Sequence, residues 1–356
     1  MLTKTKKPQT VVGLDIETGS IAATEVSANG SRAVSRTAIA PLRPGIVNEG
    51  EVLDTDALST ELRDFFAHHK LANAVRLGIA NQRVVVRTIQ LPLIEDEKEI
   101  DTAVRFRAQE QIPMPLEQAV LDHRIVSRGT GPEGERQMDV VAVAARRDMI
   151  VSLLEALRKA GLRPLGIDLS AFGMIRALDV VPTPPADGEE GQVQSTTLFC
   201  SLGDITNLAV ARGGQCLFTR VSPFGMESIA ERVAEREGVA IEDARDAVLD
   251  VGLEEPMEAF EGDKTAAAAR EALEEGASKL VDELRLSLDL YSAQEGVPPI
   301  EQIVLCGPGS SVPGLPERIQ VGLGLGIEAM TPAALHGLDR EDAARLTVSY
   351  GLAIGS

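Results

Sequence analysis

Thr10-Val11-Val12-Gly13-Leu14-Asp15-Ile16, then Glu17-Thr18-Gly19-Ser20, then Ile21 to Ser27: this stretch decides the fold, because its plan returns in the second half of the chain. The first run is rich in β-branched residues and reads as a strand, the next four residues as a turn, and Ile21 to Ser27 as a second strand. Asn29-Gly30 is a strong hairpin signal into a third strand, Ser31 to Ala40. In the second half, Thr197 to Leu202 reads as a strand, Gly203-Asp204 as a turn and Ile205 to Ala211 as the next strand. Gly213-Gly214 then turns into Cys216 to Ser222. The turn glycines are 11 residues apart in both halves (30 − 19 and 214 − 203). Hairpin meanders alone do not impose that match, so it points to a duplicated unit.

Both halves continue alike. Leu58, Leu62, Phe65 and Phe66 recur at helical spacing within Thr55 to Leu71, and a strand follows at Ala74 to Ala80. In the second half a long helix through Leu273, Ala277, Leu280, Leu284, Leu288 and Tyr291 leads to a strand at Ile303 to Cys306. A right-handed crossover would lay each fourth strand parallel beside its sheet. The expected fold is therefore α/β: two mixed sheets flanked by helices, facing each other across a cleft. Residues 1–81 and 163–181 form the first lobe, 195–226 and 295–356 the second. Residues 82–162 read as an inserted α+β module and 227–294 as a helical insertion whose acidic residues make a solvated face. Pro182 to Gln194 reads as the linker between the lobes.

Composition narrows the function. The charge of −19 comes from 35 basic and 54 acidic residues, a balance that repels nucleic acid phosphates and anionic headgroups. Lys4, Lys6 and Lys7 read as a solvated terminus. No apolar run approaches the roughly 20 residues of a membrane-spanning helix, and Asp15 interrupts the N-terminal run too early for a signal peptide. Cys200, Cys216 and Cys306 lie in apolar runs at spacings unlike a metal or disulfide framework, and read as buried thiols of a reducing cytoplasm. His68 and His69 read as surface residues of a helix.

Turns whose backbone N–H groups converge make anion nests, and two such turns can grip a polyphosphate between them. Asp15, ending the first strand, either caps a turn or holds Mg²⁺ through water. The segment Gly307-Pro308-Gly309-Ser310 is either an ordinary loop before a helix or a place where a purine ring approaches backbone closely.

These residues resemble the actin-like ATPase superfamily, and within it the PilM family of type IV pilus assembly, related to the division protein FtsA. The motifs carrying the resemblance are Val12-Gly13-Leu14-Asp15-Ile16 with Ser20 and Glu25, and Gln111-Ile112-Pro113-Met114-Pro115-Leu116-Glu117 with Leu121-Asp122. Ala160-Gly161-Leu162-Arg163-Pro164, Thr206-Asn207-Leu208, Leu217-Phe218-Thr219-Arg220, Tyr291 and Gly351-Leu352-Ala353 follow in family order. The resemblance implies a nucleotide cleft built from Asp15, Glu17, Thr18, Gly19, Ser20, Gly203, Asp204, Thr206, Gly307, Pro308, Gly309 and Ser310. It implies ATP as cofactor, with Mg²⁺ only alongside ATP and Asp15 as its holder. The departures are as informative. Glu17 stands where the family has glycine, Ala22 where it has lysine, Ser201 where it has aspartate, and Pro308 replaces a glycine. The second loop is one residue short before Thr206. An ionised Glu17 at about 4 Å from a phosphate oxygen, with an effective dielectric of about 20, costs about 4 kcal/mol. ATP is thus expected to bind weakly and not be turned over.

The function implied is a cytoplasmic adaptor at the inner face of the membrane, with altered phosphate-loop residues that disfavour ATPase activity. Its partner is the short N-terminal peptide of a PilN-type membrane protein, alongside other inner-membrane pilus components. The peptide groove is expected between the main lobe and the inserted module, where Val84, Val86, Ile112, Pro113 and Met114 either line it or pack in the core. An active ATPase or small-molecule kinase is the alternative, disfavoured by the altered first loop. An FtsA-like division protein is a further alternative; it wants an amphipathic membrane helix after the core, where this chain stops at Ile354-Gly355-Ser356.

Overall fold

In the computed structural model, which describes residues 10–28, 32–130, 134–178, 195–294 and 296–355, the duplicated runs become two sheets of the same design. β1 (Thr10–Ile16) turns back into β2 (Ser20–Ser27) and then β3 (Val34–Pro41), both antiparallel. A minimal hairpin, β4 (Val47–Asn48) and β5 (Glu51–Val52), leads to helix α1 (Thr55–His69). Asp54 starts that helix by accepting the Ala57 N–H at 2.9 Å, and Lys70 stops it in a left-handed conformation. Leu58, Leu62, Phe65 and Phe66 are its buried stripe. β6 (Ala74–Ile79) then lies parallel to β1, as the crossover rule requires.

Between β6 and the fifth strand of the sheet runs a separate unit. It contains β7 (Val85–Pro92), α2 (Glu97–Gln111), β8 (Ala119–Thr130) and β9 (Arg136–Arg146), with strand order β7-β9-β8. Ile100, Val104 and Ala108 of α2 pack with Ile89, Leu91, Met138, Val140, Ala142 and Ala144 of the sheet, giving this unit its own core. The chain divides into two compact units, residues 81–155 and residues 1–80 with 156–356. The sequence boundary at residue 162 differs because α3 (Arg147–Lys159) runs through the division and its last turn belongs to the larger unit. β10 (Arg163–Leu169) completes the first sheet beside β6, and α4 (Ser170–Leu178) follows.

The second half repeats the order. β11 (Thr196–Leu202), β12 (Thr206–Arg212) and β13 (Gln215–Ser222) form the antiparallel part. Helices α5 (Met226–Glu237), α6 (Ile241–Val251) and the long α7 (Lys264–Ser292) precede β14 (Gln302–Cys306), which pairs parallel with β11. Asp263 caps α7 by accepting the Ala266 N–H, and the alanine run behind it favours helix. Leu273, Ala277, Leu280, Leu284 and Tyr291 bury the face that packs on the second sheet's core. After α8 (Leu315–Leu323), a short β15 (Ile327–Ala329) adds a parallel fifth strand that the sequence reading did not contain. The sheets read β3-β2-β1-β6-β10 and β13-β12-β11-β14-β15: one topology, used twice.

The chain closes with α9 (Arg340–Arg345) and α10 (Thr347–Ala353). The sequence placed this segment with the second lobe, yet α10 packs on the first. A methyl at Gly351 would overlap the Gly173 carbonyl of α4, and one at Gly13 of β1 would overlap the Ser349 carbonyl. The Thr24 and Ser349 hydroxyls meet at 2.7 Å across 325 residues of sequence. Arg76 donates to the Leu352 and Gly355 carbonyls and Arg176 to that of Gly351, cations at the negative end of a helix.

The Lys4, Lys6 and Lys7 cluster, the Asn29-Gly30 turn and the 182–194 linker lie outside the described residues. Cys200 and Cys306 are fully buried, and Cys216 is half-buried with its thiol on the Phe218 carbonyl at 3.5 Å. Burial pushes the Cys216 and Cys306 thiols up to about 12, which keeps them unreactive.

Candidate functional site

The duplicated topology brings the two β-turns of its halves together. In β1–β2 the paired residues leave 17–20 as the turn, and in β11–β12 only 203–205, so the second loop is one residue shorter. The Asp204 carboxylate crosses to the first loop. Its Oδ2 accepts the Thr18 N–H at 2.8 Å and the Thr18 hydroxyl at 2.7 Å, while its Oδ1 accepts the Ile205 N–H at 2.7 Å. In the opposite direction the Glu17 carboxyl lies against Gly203, where a methyl would land on Glu17 Oε1. Each loop's carboxyl therefore faces the other loop's backbone.

A third contact covers Gly19. Arg245 of α6 is held by a bidentate pair with Glu227 of α5 at 2.7 and 2.5 Å, and its guanidinium lies where a Gly19 side chain would begin. That pair is largely buried, so Glu227 departs from the solvated acidic face expected of the helical insertion. Glu227 and Arg245 lie far apart in sequence on two helices and carry no local motif. Gly225 was also missed: a methyl there would overlap the Asp204 carbonyl, and the Met226 N–H donates to the Gly203 carbonyl at 2.8 Å. A glycine directly before a helix was its one signal.

Asp15 ends β1 beside these loops, and its carboxyl accepts the Ser170 hydroxyl at 3.2 Å. Burial first, and the Asp204 charge second, raise its pKa from 3.8 to about 7. Glu17 is raised well above the usual carboxylate range by burial, then by Asp204 and Asp15, against an opposing pull from Arg345 and the Asp204 N–H. Asp204 is raised by burial, partly offset by its bonds from Thr18 and Ile205. Three carboxyls in one desolvated region cannot all ionise without cost, so the protonated form of Glu17 is favoured. Beyond the charge that the sequence flags, the Glu17 side chain obstructs the cleft by occupying the space against Gly203.

The remaining predicted residues surround this contact. Ser20 donates to Glu17 Oε2 at 3.4 Å. Thr206, fully buried, turns its hydroxyl away to the Phe224 carbonyl at 2.7 Å. Pro308 opens a short 3₁₀ turn in which Ser310 closes on the Gly307 carbonyl through both its N–H and its hydroxyl. A methyl at Gly309 would meet the Leu202 Cβ at 2.7 Å. Of the expected peptide-groove residues, Ile112 is buried in the core of the 81–155 unit and presents no surface, which removes it from that role. Val84, Val86 and Met114 are half-buried and Pro113 is exposed.

The fold is that of the actin-like ATPase superfamily. EutJ from Carboxydothermus hydrogenoformans matches with a TM-score of 0.55 and 13% identity over 98% of this chain and 90% of that one. MreB5 of Spiroplasma citri, in a structure bound to ADP, matches with a TM-score of 0.54 and 12% identity over 97% and 95%. Within this class the model of the type IV pilus assembly protein PilM family matches residues 13–355, and the chain belongs to that family. A structure described as a PilM-PilN type IV pilus biogenesis complex matches with a TM-score of 0.78 and 25% identity over 98% of both chains.

As they stand, the loops leave little open space for the nucleotide that such a fold implies. A cavity of about 60 Å³, lined by Glu17, Gly203, Met226, Arg245, Pro308 and Arg345, is what the loops leave between them. A neighbouring cavity of about 30 Å³, lined by Asp15, Ser170, Ser201, Asp204 and Asn207, has the size of a water site. Sites for small ligands run to roughly 300–1,000 Å³. The Thr18 amide, one donor that a phosphate between the loops could use, is already given to Asp204. Asp15, the expected Mg²⁺ holder, is bonded to the Ser170 hydroxyl, and among the described residues no group of three or more His, Cys, Asp or Glu is placed to hold a metal ion.

Proposed function

We propose that this protein is a cytoplasmic adaptor of the type IV pilus assembly machinery that binds the cytoplasmic N-terminus of a PilN-type membrane protein, with nucleotide binding reduced to a vestige. The observation that carries this reading is the end-to-end likeness, over 98% of both chains, to a structure described as a PilM-PilN complex. Two further features support it. Among the described residues no helix is long and apolar enough to cross a membrane. A net charge of −19 is repelled by an anionic leaflet, so attachment through a membrane-anchored partner suits this surface better than direct adsorption. The other inner-membrane components of the machine would then be reached through that partner.

Val84, Val86, Pro113 and Met114 of the 81–155 unit are the proposed peptide contacts, being the expected groove residues that retain surface. The test is titration calorimetry of the full chain with the N-terminal peptide of the PilN-type protein from the same machinery. Saturable binding, weakened by Met114→Glu, is expected; no binding by the folded protein overturns the adaptor reading. Calorimetry with Mg-ATP tests the rest, since micromolar affinity or measurable phosphate release would refute a vestigial site.

A further inference from the structure

The two β-turns that face each other in this fold are bonded to each other. Asp204 is 9% exposed and projects from the second loop into the donors of the first. Its Oδ2 takes both the amide and the hydroxyl of Thr18, and Thr18 is likewise 9% exposed. Those two groups are donors that an anion lying between the lobes could use. Glu17 answers from the other side by covering Gly203. Arg245, fixed by Glu227, lies over Gly19.

We propose that Asp204 is a built-in counter-anion for the first loop: it stands where a phosphate would lie, joins the two lobes without a ligand, and blocks nucleotide entry. The inference rests on the vestigial-nucleotide reading above and supplies its mechanism. A charge-assisted carboxylate contact is strong, and it is present at every ligand concentration because the fold carries it. An incoming phosphate must first displace Asp204 from Thr18 and then share the region with Glu17. The lobes of a ligand-gated cleft separate when the ligand leaves; here the joining group cannot leave.

The experiment uses the full chain and two readouts. Hydrogen exchange of the segment around Thr18 is compared in the wild type, in Asp204→Ala and in Leu284→Ala, a core variant of the second lobe remote from the loops. Asp204→Ala is expected to speed exchange at Thr18 by at least about tenfold, as a protecting acceptor is lost, whereas Leu284→Ala leaves Thr18 no faster than other first-lobe amides. Mg-ATP is then titrated into the wild type, Asp204→Ala and Glu17→Gly with Asp204→Ala. Affinity is expected to rise at least about tenfold in the double variant, equal to about 1.4 kcal/mol. Unchanged Thr18 exchange in Asp204→Ala, or no gain of affinity in a folded double variant, overturns the clasp. If the alanine variants do not fold, Thr18→Val and Asp204→Asn weaken the same contact more gently, and an unaltered exchange rate in both also overturns it. Tight Mg-ATP binding by the wild type would instead sink the vestigial reading, so the two failures are separable.

Discussion

Replacing Asp15 with asparagine should make the protein more stable at neutral pH and remove part of the pH dependence of its stability. The Asp15 carboxyl is held at a pKa of about 7 against an ordinary 3.8, first by burial and then by Asp204. A raised folded-state pKa means the native state binds the proton more tightly than the unfolded chain. The contribution is complete below about pH 4, where both states are protonated, and is lost as pH rises through about 7. At about 1.4 kcal/mol per unit, a shift of about three units corresponds to about 4 kcal/mol. Asparagine keeps the oxygen that accepts from Ser170 and carries no charge at any pH. Urea denaturation of both proteins across this range would read the effect. The stability gap, variant minus wild type, should widen by about 1.4 kcal/mol per pH unit between about pH 4 and pH 7, then level off. A gap that does not change with pH would refute the argument that desolvation and Asp204 govern this carboxyl.

Three further outcomes follow from packing. Gly351→Ala should cost about 3 kcal/mol or more, because the added methyl strikes backbone of α4 and not a side chain that can move; chemical denaturation would show it. Tyr291→Phe should cost about 1 kcal/mol, since the buried hydroxyl donates to the Pro298 carbonyl at 2.9 Å and the ring itself stays packed; thermal unfolding would register a small shift. Leu284→Ala, at a fully buried site of α7, should cost about 3 kcal/mol by denaturant titration.

The sequence was legible where structure is local. The β-branched runs, the Gly213-Gly214 turn and the helical spacing of Leu58, Leu62 and Phe66 each express a constraint acting over a few residues, and much of the two sheets follows from them. β15 was missed because three residues carry no period. The placement of α10 was missed for a different reason: what covers β1 is decided by shape, through Gly13, Gly173 and Gly351, and no pattern in the last residues names the sheet they will meet. At the site, the positions of the two turns were readable. That Asp204 reaches Thr18, that Glu227 fixes Arg245 over Gly19, and that Glu17 favours its protonated form are properties of side-chain direction and burial, which appear only once the halves are folded together.

The packing of α10 also sets an order on synthesis. Thr24 emerges early from the ribosome, and the Ser349 hydroxyl it meets follows 325 residues later. At roughly 5–20 residues per second the first sheet waits on the order of 16–65 s for the helix that covers one of its faces. Until then β1 and β2 expose an apolar surface, so a chain stalled shortly before Thr347 would leave its earliest-made half, not its latest, open to chaperones and proteases.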